Sequence, residues 1–260
     1  MTEQTTYIKT GPGNILNLDA DDQGNFIAFT DDNTVITHDH RLIIDIDVRH
    51  PVIRRLNSNT FLLADARTGS RVNAHMYDFG GQRLKSFLAG DAIADIIIQH
   101  NKIVITYFDE GILVGNGPCE EGLAVFDLEG SLEFGVNSSA DDMVITDCYC
   151  ICKHGASRVL FYAYMDLKVF ALDLNTFQIE PFQTPDDFSG ASAISTYQDK
   201  IVLHSGYDHK RSFFLWDRRQ NRVLKFGEYP PGLRGLTNGK FLIHGNTGYT
   251  IVDPMESYSG

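Results

Sequence analysis

Short runs of alternating apolar and polar residues recur along the chain at a nearly constant spacing. Each copy has an apolar pair or triplet, then an Asp, a gap of about four turn-forming residues and a second alternating run. The six copies are marked by Asp39, Asp78, Asp127, Asp173, Asp217 and Asp253. Successive markers lie 39, 49, 46, 44 and 36 residues apart. This spacing is typical of a four-stranded propeller blade, which takes roughly 40 to 50 residues.

A second apolar run lies upstream of each marker, and a turn residue opens it. These runs occupy residues 24–29, 59–63, 101–105, 157–161, 199–203 and 239–243. Long segments with helical periodicity are missing, whereas short β-branched and aromatic runs are dense. The pattern predicts an all-β fold, a six-bladed β-propeller with strands A to D in each blade. Two stacked β-sandwiches are the alternative.

The last unit reaches Pro254 before it can form a fourth strand. The N-terminal segment 5–10 has the composition of a strand, so we expect it to join the last blade and leave no exposed sheet edge there. We therefore predict one domain, 1–260. Its predicted blades are 14–52, 53–91, 92–140, 141–187, 188–231, and 232–260 together with 5–10.

The repeated units resemble the blades of propellers of the WD and quinoprotein-like type. Trp216-Asp217 shows the WD dipeptide, and Gly80-Gly81 is similar to the paired glycines of kelch blades. Neither motif recurs, so the resemblance covers nearly the whole chain as a pattern without a family signature. It implies a propeller fold and transfers no active-site residue.

Charge and cysteine content narrow the function. A net charge of −12 and a pI near 5.1 argue against a nucleic-acid partner. No apolar run reaches the roughly 18 to 20 residues that span a bilayer, and a secretory signal is missing, so we expect a soluble cytoplasmic monomer that binds no membrane. Cys148, Cys150 and Cys152 alternate as on one face of a strand, and Cys119 stands apart. We predict buried thiols, because no CxxC or His set completes a metal site.

Sorting the acidic residues by loop assigns most of them to one face of the predicted propeller, where the B–C and D–A connections lie. The long B–C loop 115–122 projects among them. Aspartates also favour turns for purely structural reasons, because they bind their own backbone. We predict that the acidic face holds a basic protein. The predicted partner-binding residues are Asp109, Glu110, Glu120, Glu121, Asp141, Asp142, Asp166, Asp186, Asp187 and Asp208.

The sequence has no HExxH or GxSxG motif, and we assign no catalytic residue, metal ligand or cofactor. We therefore expect a non-enzymatic binding protein. A small acidic cytoplasmic propeller is similar to an immunity protein that inhibits a basic nuclease toxin by occluding its active site. The alternative is a metal-dependent hydrolase or lactonase with a divalent ion in the axial channel. Lactonase-type propellers suggest Asp95, Asn137, Asp142 and Asp187 as its ligands.

Overall fold

The computed structural model describes residues 1–68, 71–139, 143–164, 167–185, 190–205 and 211–256. Over these residues, β-strands dominate and the helices are short. The strands of the first half are β1 (Thr2–Tyr7), β2 (Ile15–Ala20), β3 (Phe26–Thr30), β4 (Thr34–Ile36), β5 (Arg41–Ile43), β6 (Pro51–Arg55), β7 (Thr60–Asp65), β8 (Ala74–Asp78), β9 (Arg83–Phe87), β10 (Ile93–Gln99), β11 (Lys102–Tyr107), β12 (Leu123–Asp127) and β13 (Leu132–Gly135).

The second half continues the same succession of short strands. Its strands are β14 (Cys148–His154), β15 (Arg158–Ala163), β16 (Lys168–Asp173), β17 (Ile179–Pro181), β18 (Ala191–Tyr197), β19 (Lys200–Ser205), β20 (Ser212–Asp217), β21 (Arg222–Glu228), β22 (Arg234–Gly235), β23 (Phe241–Gly245) and β24 (Gly248–Asp253). Helix α1 spans Asp109–Val114, a 3₁₀ turn spans Pro118–Glu121 and α2 spans Val136–Ser139. Among the described residues, no helix is both long and apolar enough to cross a bilayer.

The strands form six four-stranded antiparallel sheets. Five sheets take their strands in chain order, from β2–β5 through to β18–β21, and the sixth has the order β1-β24-β23-β22. This arrangement is a six-bladed β-propeller, which confirms the predicted fold class. Each predicted upstream run forms the second strand of its sheet, because its apolar residues are buried on both faces.

The chain divides into two compact units. One consists of residues 7–148 and 244–248, and the other of residues 1–6, 149–243 and 249–260. The first unit buries the residues Ile27, Phe29, Phe61 and Leu63 together. The second buries one group of residues around Leu160 and Trp216 and another around Phe213 and Phe241.

The four cysteines are buried thiols outside any disulfide, and their burial confirms the prediction from the sequence. Cys148, Cys150 and Cys152 follow one another at alternate positions of β14, and Cys119 lies in the 3₁₀ turn. Burial raises the pKa of the Cys152 thiol above its ordinary value. A buried neutral thiol packs as a small apolar group.

The first strand pairs with the last, as predicted, but at different residues. The strand covers Thr2–Tyr7, not residues 5–10. The assigned strand ends at Tyr7, although the Ile8 N–H still donates to the carbonyl of Thr247, the residue before β24. At Lys9 and Thr10 the chain has left the sheet, and the Arg41 guanidinium donates to the carbonyl oxygens of both residues.

The repeated Asp has one local role. In five sheets it is the last residue of the third strand, and its carboxylate accepts backbone N–H groups from residues two and three or four positions later. The first copy was assigned to the wrong residue. Thr37 holds that position, because its hydroxyl accepts the N–H groups of Asp39 and His40. The true first interval, from Thr37 to Asp78, is therefore 41 residues.

Candidate protein-binding surface

Residues 108–122 form an insertion between β11 and β12 in the third blade. The sequence predicted a long loop at 115–122, and the structure shows that the insertion also contains α1 and the 3₁₀ turn. Its inner side is anchored by the buried residues Gly111, Ile112 and Cys119. Helix α1 has only six residues, too few for helical periodicity to be recognised in a sequence.

Glycines allow the insertion to pack closely. A Cβ at Gly115 would overlap the Gly111 carbonyl oxygen, to which the Gly115 N–H donates a 3.0 Å hydrogen bond. Gly122 has a φ of +67°, and a Cβ there would lie 2.5 Å from the Cβ of Ile145. A Cβ at Gly135 would overlap the Glu121 side chain. The insertion is therefore held tightly against the segment that follows β13.

Two of the predicted binding residues contribute to this bracing. The half-buried Glu121 carboxylate accepts the Ser138 N–H at 2.8 Å, at the end of α2. The exposed Glu120 carboxylate accepts the Gly117 N–H at 3.2 Å. Glu121 thus has a structural contact that its position in a loop did not reveal, whereas Glu120 remains accessible to a partner.

Asn137 connects the insertion to the segment 144–147. Its side-chain amide donates to the carbonyl oxygens of Glu120 at 2.8 Å and Ile145 at 2.9 Å, and its Oδ1 accepts the Ile145 N–H at 2.7 Å. All three bonds are made to backbone groups, so they fix both segments whatever their side chains. The same bonds occupy the amide that the sequence suggested as a calcium ligand.

The outer side of the insertion is acidic. Asp109, Glu110 and Glu120 are exposed. Arg67 pairs with Glu110 at 3.2 Å and lies over the Phe108 ring at 6.0 Å from its centroid. The Arg67 cation therefore offsets part of the negative charge of these three acids.

Asp147 is a partly buried carboxyl whose pKa the acidic side chains of the insertion influence. Burial raises the pKa of its carboxyl to about 6, and the charges of Asp109 and Glu110 contribute in the same direction. Its Oδ1 is buried and accepts no hydrogen bond from the described residues. A carboxylate that titrates this high indicates a partly dehydrated site with a surplus of negative charge.

Exposed apolar side chains accompany these acids. The exposed fractions are 40% for Phe108, 67% for Leu113, 85% for Val114 and 66% for Val144. The surface predicted from the sequence was defined by charge and did not include these apolar side chains. The available signal was the interval of 49 residues between Asp78 and Asp127, the longest in the chain, together with the apolar run 112–114 after two acids.

The remaining predicted binding residues lie outside the described residues. They are Asp141, Asp142, Asp166, Asp186, Asp187 and Asp208.

The alternative calcium site receives little support from its described residues, Asp95 and Asn137. Asp95 pairs with Arg54 at 2.5 Å and also accepts the Ile96 N–H, while the Arg54 side chain is 4% exposed. Asp142 and Asp187 lie outside the described residues. Within the described ranges, no group of three or more His, Cys, Asp or Glu side chains is placed to hold a metal ion.

Comparison with known proteins supports the fold alone. No family model and no curated protein matches the chain. The structure is similar to U3-55K, with a TM-score of 0.61 at 12% identity over 93% of this chain and 77% of that one. A streptogramin B lyase has a TM-score of 0.57 at 8% identity over 96% of each chain. Virginiamycin B lyase from Staphylococcus aureus has a TM-score of 0.52 at 11% identity over 96% and 98%. At such low identity, these similarities establish a β-propeller fold and no function.

Proposed function

We propose that this propeller is a non-enzymatic binding protein that holds a basic protein partner through the insertion 108–122 and its acidic surroundings. The observation that carries the proposal is the exposure of Asp109, Glu110 and Glu120 on a frame that hydrogen bonds from the Asn137 side chain to backbone groups fix in place. A preformed acidic surface attracts a cationic partner over long range and aligns it at short range.

The raised pKa of Asp147 supports this proposal. Burial, and after it the charges of Asp109 and Glu110, make ionisation of this carboxyl unfavourable, and a cation placed beside it would favour the ionised form. Binding of a basic partner is then expected to release a proton and to strengthen as the pH rises through about 6.

A finer form of the proposal is that the partner is a basic nuclease toxin and that this protein is its immunity protein. A nuclease presents cationic groups where it binds phosphate, so an acidic surface would cover its active site. The net charge of −12 is consistent with such an inhibitor. The identity of the captured partner decides between this form and the general one.

The test is affinity capture from a lysate of the native host at about 50 mM salt, where charge attraction is weakly screened. We compare the wild type with the triple variant Asp109→Asn, Glu110→Gln, Glu120→Gln. The control variant removes the same number of exposed acids elsewhere: Asp39→Asn, Asp45→Asn, Asp47→Asn. We expect a basic protein to be retained by the wild type and the control, and to be lost from the triple variant.

Two further measurements complete the experiment. Retention should fall at about 500 mM salt, where the screening length is only a few ångströms. If the captured protein is a nuclease, its activity is measured with one equivalent of the propeller, and inhibition supports the toxin hypothesis. Equal retention of the partner by the wild type and the triple variant rejects the acidic insertion as the binding surface.

A further inference from the structure

We propose that Leu113 and Val114 are apolar anchor points for the partner, which presents an amphipathic cationic segment whose apolar side chains are flanked by Lys or Arg. This inference rests on the proposed function, because it names the kind of partner that the same surface accepts. Under this inference, the partner must contact Leu113 and Val114 through apolar side chains in addition to being attracted by charge.

Leu113 and Val114 form an exposed apolar pair. A single exposed apolar residue is common on protein surfaces and needs no explanation. Here two adjacent residues at the end of α1 are exposed by 67% and 85%, although the helix buries Gly111 and Ile112 on its other side. Leu113 and Val114 therefore contribute little to the core. Grouped apolar exposure on a folded surface is typical of an interaction site.

The segments around the exposed pair are held by hydrogen bonds and short connections. Helix α1 begins at Asp109, separated from the end of β11 by a single residue, and the Gly115 N–H closes it on the Gly111 carbonyl. On the other flank, Asn137 fixes the segment that carries Val144 by binding both backbone groups of Ile145. A surface that is ordered before binding loses little conformational entropy when a partner docks.

The charge of the insertion determines which partner suits the exposed apolar pair. The exposed apolar pair shares the insertion with the carboxylates of Asp109, Glu110 and Glu120. Of these three carboxylates, Glu110 forms an ion pair with Arg67, and no described residue forms one with the other two. An acidic protein or an anionic membrane would be repelled from this surface, and a purely polar cationic segment would leave the apolar pair in water. An amphipathic cationic segment satisfies both features.

The test uses a defined probe. A fluorescein-labelled helical peptide of Leu and Lys, with the Leu residues on one face, is titrated into the purified full chain at low salt. Its control peptide has Ser in place of every Leu and so keeps the same charge. The protein variants are Leu113→Ser with Val114→Ser, and a matched control, Leu84→Ser with Leu132→Ser, whose residues are 51% and 48% exposed on β9 and β13.

We expect the Leu/Lys peptide to bind the wild type and the Leu84/Leu132 control equally, and the Leu113/Val114 variant at least about tenfold more weakly. Tenfold corresponds to about 1.4 kcal/mol. The Ser/Lys peptide should bind all three proteins weakly and alike. Circular dichroism confirms that each variant is folded, which is expected because Ile112 keeps α1 anchored.

Three outcomes separate this inference from the proposed function. Equal binding of the Leu/Lys peptide by the wild type and the Leu113/Val114 variant overturns the inference. If the triple acid variant nevertheless loses that binding, the acidic surface stands without an apolar anchor. Failure of the Leu/Lys peptide to bind the wild type overturns the inference, and the capture experiment then tests the acidic surface by itself.

Discussion

The carboxyl group of Asp147 lies where the fold disfavours its charge. Its pKa is raised to about 6 by burial and by Asp109 and Glu110, whereas its ordinary value is 3.8. The folded protein therefore binds a proton more tightly than the unfolded chain between these two values. The ionised group lowers the free energy of unfolding. This cost is absent below about pH 3.8, grows as the pH rises toward 6, and is fully present above about pH 6.

Replacement of Asp147 by Asn removes that cost. We expect Asp147→Asn to raise the free energy of unfolding by about 1 kcal/mol at neutral pH, a value that allows for solvent screening of a partly exposed group. Below about pH 3.8 the gain should vanish, because the carboxyl is then protonated in both states. Urea unfolding at both pH values measures this, and an equal gain at both would show that the effect is not electrostatic.

Single residues also mark the limit of prediction from sequence. Asp78, Asp127, Asp173, Asp217 and Asp253 were identified correctly, because a turn that starts on a side-chain acceptor has a recognisable composition. Thr37 was missed since a hydroxyl can replace the carboxylate at the same position. The bracing role of Glu121 depends on Ser138 and Gly135, which are brought near it only by the fold.

At the scale of the element, the strands were predictable and the short helices were not. Each second strand is a continuous apolar run bounded by turn residues, so its position follows from local pattern. Helix α1 is an insertion between two such strands, and it is stabilised by close packing at Gly111, Gly115 and Cys119. Contacts of this kind have no periodic signature.

The short strand β22 depends on an approach that only glycine permits. A Cβ at Gly235 would overlap the carbonyl oxygen of Ile194 in β18, a backbone atom that cannot rotate away. We expect Gly235→Ala to destabilise the protein by about 3 kcal/mol or more, in the range of severe steric changes. The control is Gly245→Ala in β23, where a Cβ would meet nothing within 4 Å.

Thermal or chemical unfolding of the two glycine variants gives the comparison. Gly245→Ala should change stability by less than about 0.5 kcal/mol, as is usual at open positions. Similar losses in both variants would mean that β18 and β22 do not approach as closely as described.

For the whole molecule, His75, His154, His204 and His244 are described residues whose titration couples stability to mild acid. Burial lowers the pKa of His75, His154, His204 and His244 below 6.5. The unfolded chain thus takes up protons near pH 6.5 that the folded chain excludes. Stability is fully present above pH 6.5 and decreases as the pH falls toward the folded pKa values.

We expect the free energy of unfolding to decrease between about pH 7.5 and 5.5, partly offset by Asp147 below pH 6. His204 is fully buried, and its Nε2 lies 2.9 Å from the Tyr229 carbonyl oxygen. His204→Gln should reduce the pH slope, because the amide can donate to the same carbonyl without titrating. An unchanged slope, measured by denaturant titration at several pH values, would contradict this assignment.

The pairing of β1 with β24 also has a consequence for biosynthesis. Residues 2–7 leave the ribosome more than 200 residues before their partner strand, 248–253, has been made. Throughout that interval, the first strand is an unpaired β-segment that other chains could join. Its sequence, Thr-Glu-Gln-Thr-Thr-Tyr, is polar and carries an acid, so we expect it to pair poorly with other chains before β24 is made. The polar composition of β1 therefore suits both the interval before β24 has been synthesised and its place in the folded sheet.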